Sequence, residues 1–271
     1  MYIRFIISIA LVLLTSLSFA QSLKEAADLF GAGKYGEAEK ILNNINPQTA
    51  KVKGFLCQLY AEEKISPDVT KSKELCEDAV ASKDPMAVYI YAISHIYGSS
   101  ALQIKQNEKR GLGFMSVSAI DMDFAPAFDF FCEKFFLEKK YDDAVNFCKV
   151  AASKGLRKSL YRMGIFYSEG IGVIQDFDKS KSLIIASAAL NYPLAYDFLG
   201  DASRDGKNGF AIDTRHAYAW YSLSIAAKSS QEIQDRRKAL KLSQEDVIAS
   251  QKMATAWKFK TPRLIDFNSI D

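Results

Sequence analysis

Two distant stretches of this chain are written to one template: KSKELCEDAVASKDPMAVY from Lys71 and KSKSLIIASAALNYPLAYD from Lys179. They share Lys-Ser-Lys, a Leu two positions on, and a Pro-x-Ala fourteen and sixteen residues after the first Lys. DAVNFCKVAASKGLRKSLY, from Asp143, keeps the frame without the Pro. Aligning the small residue that opens each unit gives Val52, Ala87, Ala127, Ser159 and Ala195, spaced 35, 40, 32 and 36 apart. Such a period belongs to helix-pair repeats, whose units cannot bury their apolar faces alone and must stack on neighbours. The expected fold is therefore all-α, an α/α solenoid of stacked antiparallel helix pairs.

Finer spacing agrees with this. Five residues after each reference stand Cys57, Ala92, Cys132, Gly164 and Gly200, all small. Three further on are Tyr60, His95, Phe135, Tyr167 and Ser203, mostly aromatic. Small at one turn and bulky at the next suits a first helix whose backbone approaches a second closely. That second helix opens with Ser72, Ala144, Ser180 or Ala217 and carries Leu75, Phe147, Leu183 or Trp220 three residues later. Between the helices, YSEGIGVIQDF (167–177) reads as a corner, its glycines supplying positive φ and Asp176 a helix start. It lacks the third glycine and the Lys-Ser/Thr of a phosphate loop. Other repeats fill the same place with GSSALQIKQNE, LEKKYDD and RDGKNGFAID.

MGIFYSEGIGVIQDFDKSKSLIIASAA and the following LGDASRDGKNGFAIDTRHAYAWYSLSIAA resemble Sel1-like repeats, tetratricopeptide-related units of pattern A-x4-G-x2-Y-x2-G-x-G-V-x2-D. LSQEDVIASQKMATAW, from Leu242, resembles the closing helix that follows the last such repeat, with Ser243 as its N-cap. LFGAGKYGEAEKIL, from Leu29, is closer to an ordinary tetratricopeptide pair. The resemblance is good over 158–257 and degenerate over 51–156. The expected organisation is a signal peptide over 1–20, a tetratricopeptide-like pair over 21–50, the Sel1-like array over 51–227, capping helices over 228–260 and an extended tail over 261–271.

MYIRFIISIALVLLTSLSFA opens with an early cation, an apolar run and small residues at Ser18 and Ala20, the pattern of a cleaved leader. The run is short of the roughly 20 apolar residues of a membrane span, so no stable membrane insertion is expected after cleavage, and the compartment expected is the periplasm of a Gram-negative bacterium or the medium. Lys and Arg number 35 against 32 acids, which gives no basic stripe for nucleic acid. Four cysteines in an exported chain can pair. Cys57 and Cys132 share one slot of the first helix, and Cys76 and Cys148 one slot of the second. The frame thus pairs Cys57 with Cys76 and Cys132 with Cys148, while crossed pairs would span roughly 20 Å, beyond disulfide reach. Buried free thiols are the alternative.

Catalytic chemistry is sparse. The histidines are His95, in an aromatic packing slot, and His216, at a solvated helix start. Asp121 and Asp123 are neighbours in a joint between repeats and read as a solvated turn. No GxSxG, HExxH or Walker sequence occurs, and no Cys-His spacing suggests a metal, so no cofactor is expected. By analogy with tetratricopeptide grooves, positions two, six and nine after each reference face inward, where apolar clusters mark binding sites. They include Tyr89, Ile93 and Ile96, then Asp129, Glu133 and Phe136, then Tyr161 and Ile165, then Asp197 and Asp201. The resemblance implies a non-enzymatic adaptor or scaffold that binds an envelope protein or peptide. The alternatives are a structural subunit of an envelope machine such as the flagellar motor, and, more remotely, a hydrolase of β-lactam or cell-wall substrates.

Overall fold

The computed structural model describes residues 19–65, 68–228 and 230–257, so the expected leader, apart from its last two positions, and the expected tail lie outside the described residues. Among the described residues the secondary structure is helical, apart from one antiparallel bridge between Ser99 and Ile104. The chain divides into two compact units, Met1–Ala127 and Phe128–Asp271. The repeat frame predicted where the helices fall: they follow one another as antiparallel pairs of an α/α repeat array.

In the first unit α1 (19–31) and α2 (Tyr35–Asn44) precede the pair α3 (Ala50–Ala61) and α4 (Val69–Ala81) and the pair α5 (Pro85–Tyr97) and α6 (Glu108–Ser116). A π-helical turn, Val117–Asp121, prolongs α6. Leu23, Ala26, Leu42, Val52, Leu56 and Leu59 make one core, and Cys57, Cys76, Ala79, Tyr91 and Leu102 another. Leu102 sits in the α5–α6 loop and is fully buried, so that loop is tied down by its own side chain. Asp121 ends the π-helical turn and Asp123 follows it in the joint to α7, and both are exposed.

The second unit holds α7 (Ala125–Leu137, the division falling in its first turn), α8 (Tyr141–Ser153), α9 (Arg157–Glu169), α10 (Phe177–Ala189), α11 (Pro193–Asp205) and α12 (Thr214–Ala227), closed by α13 (Gln231–Ala239) and α14 (Gln244–Ala256). The corner after α9 is built as its sequence predicts: Gly170 and Gly172 take φ of 69° and 65°, and the Asp176 carboxylate accepts from Lys179 N at 2.9 Å to start α10. Gly206 and Asp213 repeat the device between α11 and α12. Ser243 caps α14, accepting from Asp246 N at 3.1 Å while its hydroxyl donates to the Asp246 carboxylate at 2.7 Å.

The disulfides join Cys57 to Cys76 and Cys132 to Cys148, one in each unit, each linking the two helices of a pair. No helix of the described residues is long and apolar enough to cross a membrane.

His95 is a buried ring, as its slot implies. It lies edge-on to Tyr91 at 4.9 Å and stacks on Phe114 at 5.7 Å, and neither ring nitrogen has a partner among the described residues. Burial, and then the nearby Arg110, push its pKa below the ordinary value. The fold therefore holds the ring neutral while the unfolded chain takes up its proton at about pH 6.5, so protons favour unfolding below that pH. The midpoint of thermal unfolding should fall more for the natural protein than for His95→Phe between about pH 7.5 and about pH 5. Parallel midpoints would show that the ring is hydrated and free to titrate.

Candidate functional site

In the second unit the positions expected to face inward are filled by ties between neighbouring helices. On α7, Asp129 accepts from the Ser159 hydroxyl of α9, and Glu133 receives Arg162 of α9 at 2.7 Å and Lys158 at 3.7 Å. The Arg162 guanidinium lies 3.7 Å from the centre of the Phe136 ring. Arg162 was not among the expected site residues, yet it covers two of them. Its position, three after the reference on α9, meets positions six and nine of α7.

Further along, α11 presents Asp197, Asp201 and Arg204 to a cleft of about 770 Å³. Tyr161 of α9, Tyr192 and Leu194 at the start of α11, and Ser224, Lys228, Glu232 and Arg236 from α12 and the segment after it also line it. Asp201 is saturated: one oxygen accepts from the Tyr221 hydroxyl at 2.7 Å and lies 3.0 Å from Arg204, and the other takes Arg236 of α13 at 2.6 Å. Arg204 also grips Asp205 with two bonds, of 2.6 and 2.9 Å, which hold that carboxyl well below the usual range. Burial, then the bond to Asp201, push the Tyr221 phenol up.

Asp197 differs. Its Oδ1 is buried with no hydrogen-bond partner among the described residues, and desolvation raises its pKa, partly offset by a hydrogen bond with Ser224. Tyr161 stands 5.4 Å from Tyr192, and burial pushes its phenol up to about 12. Ile165 and Tyr161 both pack against the core formed by Ile184, Ala188, Ala195, Tyr196 and Leu199, so they serve stability as well as lining.

The structure thus brings Glu133 and Phe136 together around Arg162, ties Asp129 to Ser159 on the same helix α9, and brings Tyr161, Asp197 and Asp201 together in the cleft. Tyr89, Ile93 and Ile96 belong to the first unit. Tyr89 packs on Phe124 at 5.7 Å and Ile93 is half-buried. Ile96 is only 6% exposed, under Gly111 of α6, so it is a core residue. His216 pairs with Asp213, its Nδ1 2.7 Å from the carboxylate that caps α12, an exposed helix-start arrangement. Among the described residues no group of three or more His, Cys, Asp or Glu could hold a metal ion.

Helix pairs crossing at small residues, with glycine-turned corners, define this as an α/α repeat solenoid. Its structural neighbours are Sel1-like repeat proteins. A Sel1 repeat protein from Oxalobacter formigenes superposes with a TM-score of 0.64 at 20% identity, over 86% of this chain and 98% of that one. A protective antigen of uropathogenic Escherichia coli with the same type of fold gives 0.69 at 17% identity over 87% of this chain. This chain spans 52% of that antigen's length. No family model matches the sequence, and no curated protein does either.

Proposed function

We propose that this chain is a non-enzymatic adaptor or scaffold of the bacterial envelope that binds a protein or peptide through the second unit. The observation that carries this reading is the cleft over α11, where aromatic rings, an exposed Leu194 and unspent charge meet on a scaffold otherwise tied helix to helix. Rigid helices with adaptable side chains between them suit an extended peptide or a partner helix. The two disulfides fit an oxidising compartment outside the cytoplasm. In this reading 1–20 is a cleaved leader, 51–227 the repeat array, and α13 and α14 its closing cap. The periplasm of a Gram-negative cell is the compartment it favours.

Leu194 is 47% exposed on the cleft wall, and Lys228 is exposed at its edge. Leu194→Lys should abolish capture of the partner from envelope extract while leaving the unfolding midpoint nearly unchanged, since exposed positions contribute within about 0.5 kcal/mol. Ile174→Glu, at a 90% exposed position in the α9–α10 corner, is the control that should still capture it. Capture that survives the cleft change, or is lost equally with the corner change, would remove the cleft from the interaction.

A further inference from the structure

The cleft holds four carboxylates, and three of them are already neutralised from within. Asp201 is shared by Arg204 and Arg236, Asp205 is held by Arg204 and Lys207, and Glu232 is paired with Arg236. Asp197 is in no ion pair among the described residues: Arg236, the cation that acts on it, is spent on Asp201 and Glu232, Ser224 supplies its one hydrogen bond, and its Oδ1 lacks any donor. A buried carboxylate oxygen left without a donor is costly, because it gives up hydration and receives nothing back. The same cleft offers apolar and aromatic surface from Tyr161, Tyr192, Leu194 and Phe198. Arginine and lysine have the matching anatomy, a long aliphatic stem that lies along apolar surface and a cationic head that needs a carboxylate.

We infer that this cleft receives one basic side chain of the bound peptide, its stem against the aromatic wall and its guanidinium or ammonium on Asp197. The inference rests on the peptide-binding reading above and adds the chemistry of the residue that is read. Asp197 and Asp201 lie one turn apart on α11, but Asp201 is spent on Tyr221, Arg204 and Arg236. The incoming cation is therefore drawn by Asp197 against the repulsion of Lys228 and Arg236 on the same cleft, while the saturated network behind it holds Asp201 in place.

The test uses the full-length, disulfide-bonded protein and three small probes: N-acetyl-arginine amide, N-acetyl-lysine amide and the uncharged N-acetyl-norleucine amide. Amide chemical-shift titration should place the cationic probes at α11 and α13, with norleucine amide binding more weakly. The isosteric Asp197→Asn should weaken the cationic probes about tenfold, the loss expected for one charge-assisted hydrogen bond, and leave norleucine amide unchanged. Which cation binds better tells a guanidinium reader from an ammonium reader.

A second measurement needs no variant. Binding of the arginine probe to the natural protein should fall on acidification, as protonation removes the Asp197 charge. Equal binding of charged and uncharged probes, no binding of either cation, indifference to Asp197→Asn, or a flat pH profile would each overturn the inference. Partner capture that depends on Leu194 but not on Asp197 would leave the adaptor reading standing and this one refuted.

Discussion

Replacing Cys132 and Cys148 together by alanine should lower the stability of the second unit by about 3 kcal/mol, and the same exchange at Cys57 and Cys76 should do as much to the first. The sequence separations are 16 and 19 residues, and loops of that size restrict the unfolded chain by about this amount in the chain-entropy account. Alanine is the better replacement because all four half-cystines are buried and a serine hydroxyl there would need a new partner. A loss of this size corresponds to about 6 to 12 °C in melting temperature for a unit of this scale. Stability in repeat arrays is a sum of local terms, so the loss should concentrate near the missing bond. Amide exchange should accelerate first in α7 and α8 for the second disulfide, and in α3 and α4 for the first. Unchanged midpoints and unchanged exchange in those helices would show that the bridges staple nothing that packing does not already hold. Non-reducing peptide mapping that returned crossed pairs would break the repeat frame itself.

The pairing was legible in the sequence because it is a property of the repeat. Each pair of helices crosses at one slot, and the structure fills that slot in chemically different ways. Cys57 meets Cys76 across α3 and α4, and Cys132 meets Cys148 across α7 and α8. Gly164 faces Ile184 across α9 and α10, and Gly200 faces the Tyr221 ring across α11 and α12. Two helices that approach this closely need either a missing side chain or two side chains fused by a bond. A position counted from the repeat start therefore predicts the contact whatever residue stands there.

The site was less legible, for a related reason. Positions two and six after the reference do meet neighbouring helices in the second unit, but position alone does not say what a carboxylate will meet. Asp129 found Ser159, Glu133 found Arg162, and Asp201 found Tyr221, Arg204 and Arg236, a residue 35 positions further on. Ser159 and Arg162 come from the next repeat and Arg236 from a closing helix, which the sequence around Asp129, Glu133 and Asp201 does not announce; Arg204, one turn on in α11, and Tyr221, in the paired α12, are the nearer partners. Asp197 reads the same as Asp201 in the sequence, yet only one of the two is left with an unpaired oxygen. Ile96 failed as a surface residue because α6 carries a glycine, which let that helix settle directly onto it.

That glycine provides the sharpest test of the crossing. A β-carbon at Gly111 would stand 2.7 Å from Ile96 N and 2.8 Å from Ala92 O, both main-chain atoms of α5, and 2.6 Å from Ile96 Cγ1. A side chain could rotate away, but the backbone of a helix moves only as a body. Gly111→Ala should therefore push α5 and α6 apart and cost about 1 to 3 kcal/mol through overpacking, despite the gain of up to about 1 kcal/mol in helix propensity. Gly113 lies on the exposed side of the same helix with nothing within 4 Å of its added carbon. Gly113→Ala should accordingly stabilise the first unit by about 0.5 to 1 kcal/mol. The two variants differ by two positions and are identical in chemistry, so urea midpoints that move in opposite directions report the helix contact and nothing else. If both alanines stabilise alike, α5 and α6 are not in backbone contact at Gly111. Midpoints that split as expected would show that the α5–α6 pair achieves with a missing side chain the approach that its neighbours α3 and α4 secure with a covalent bond.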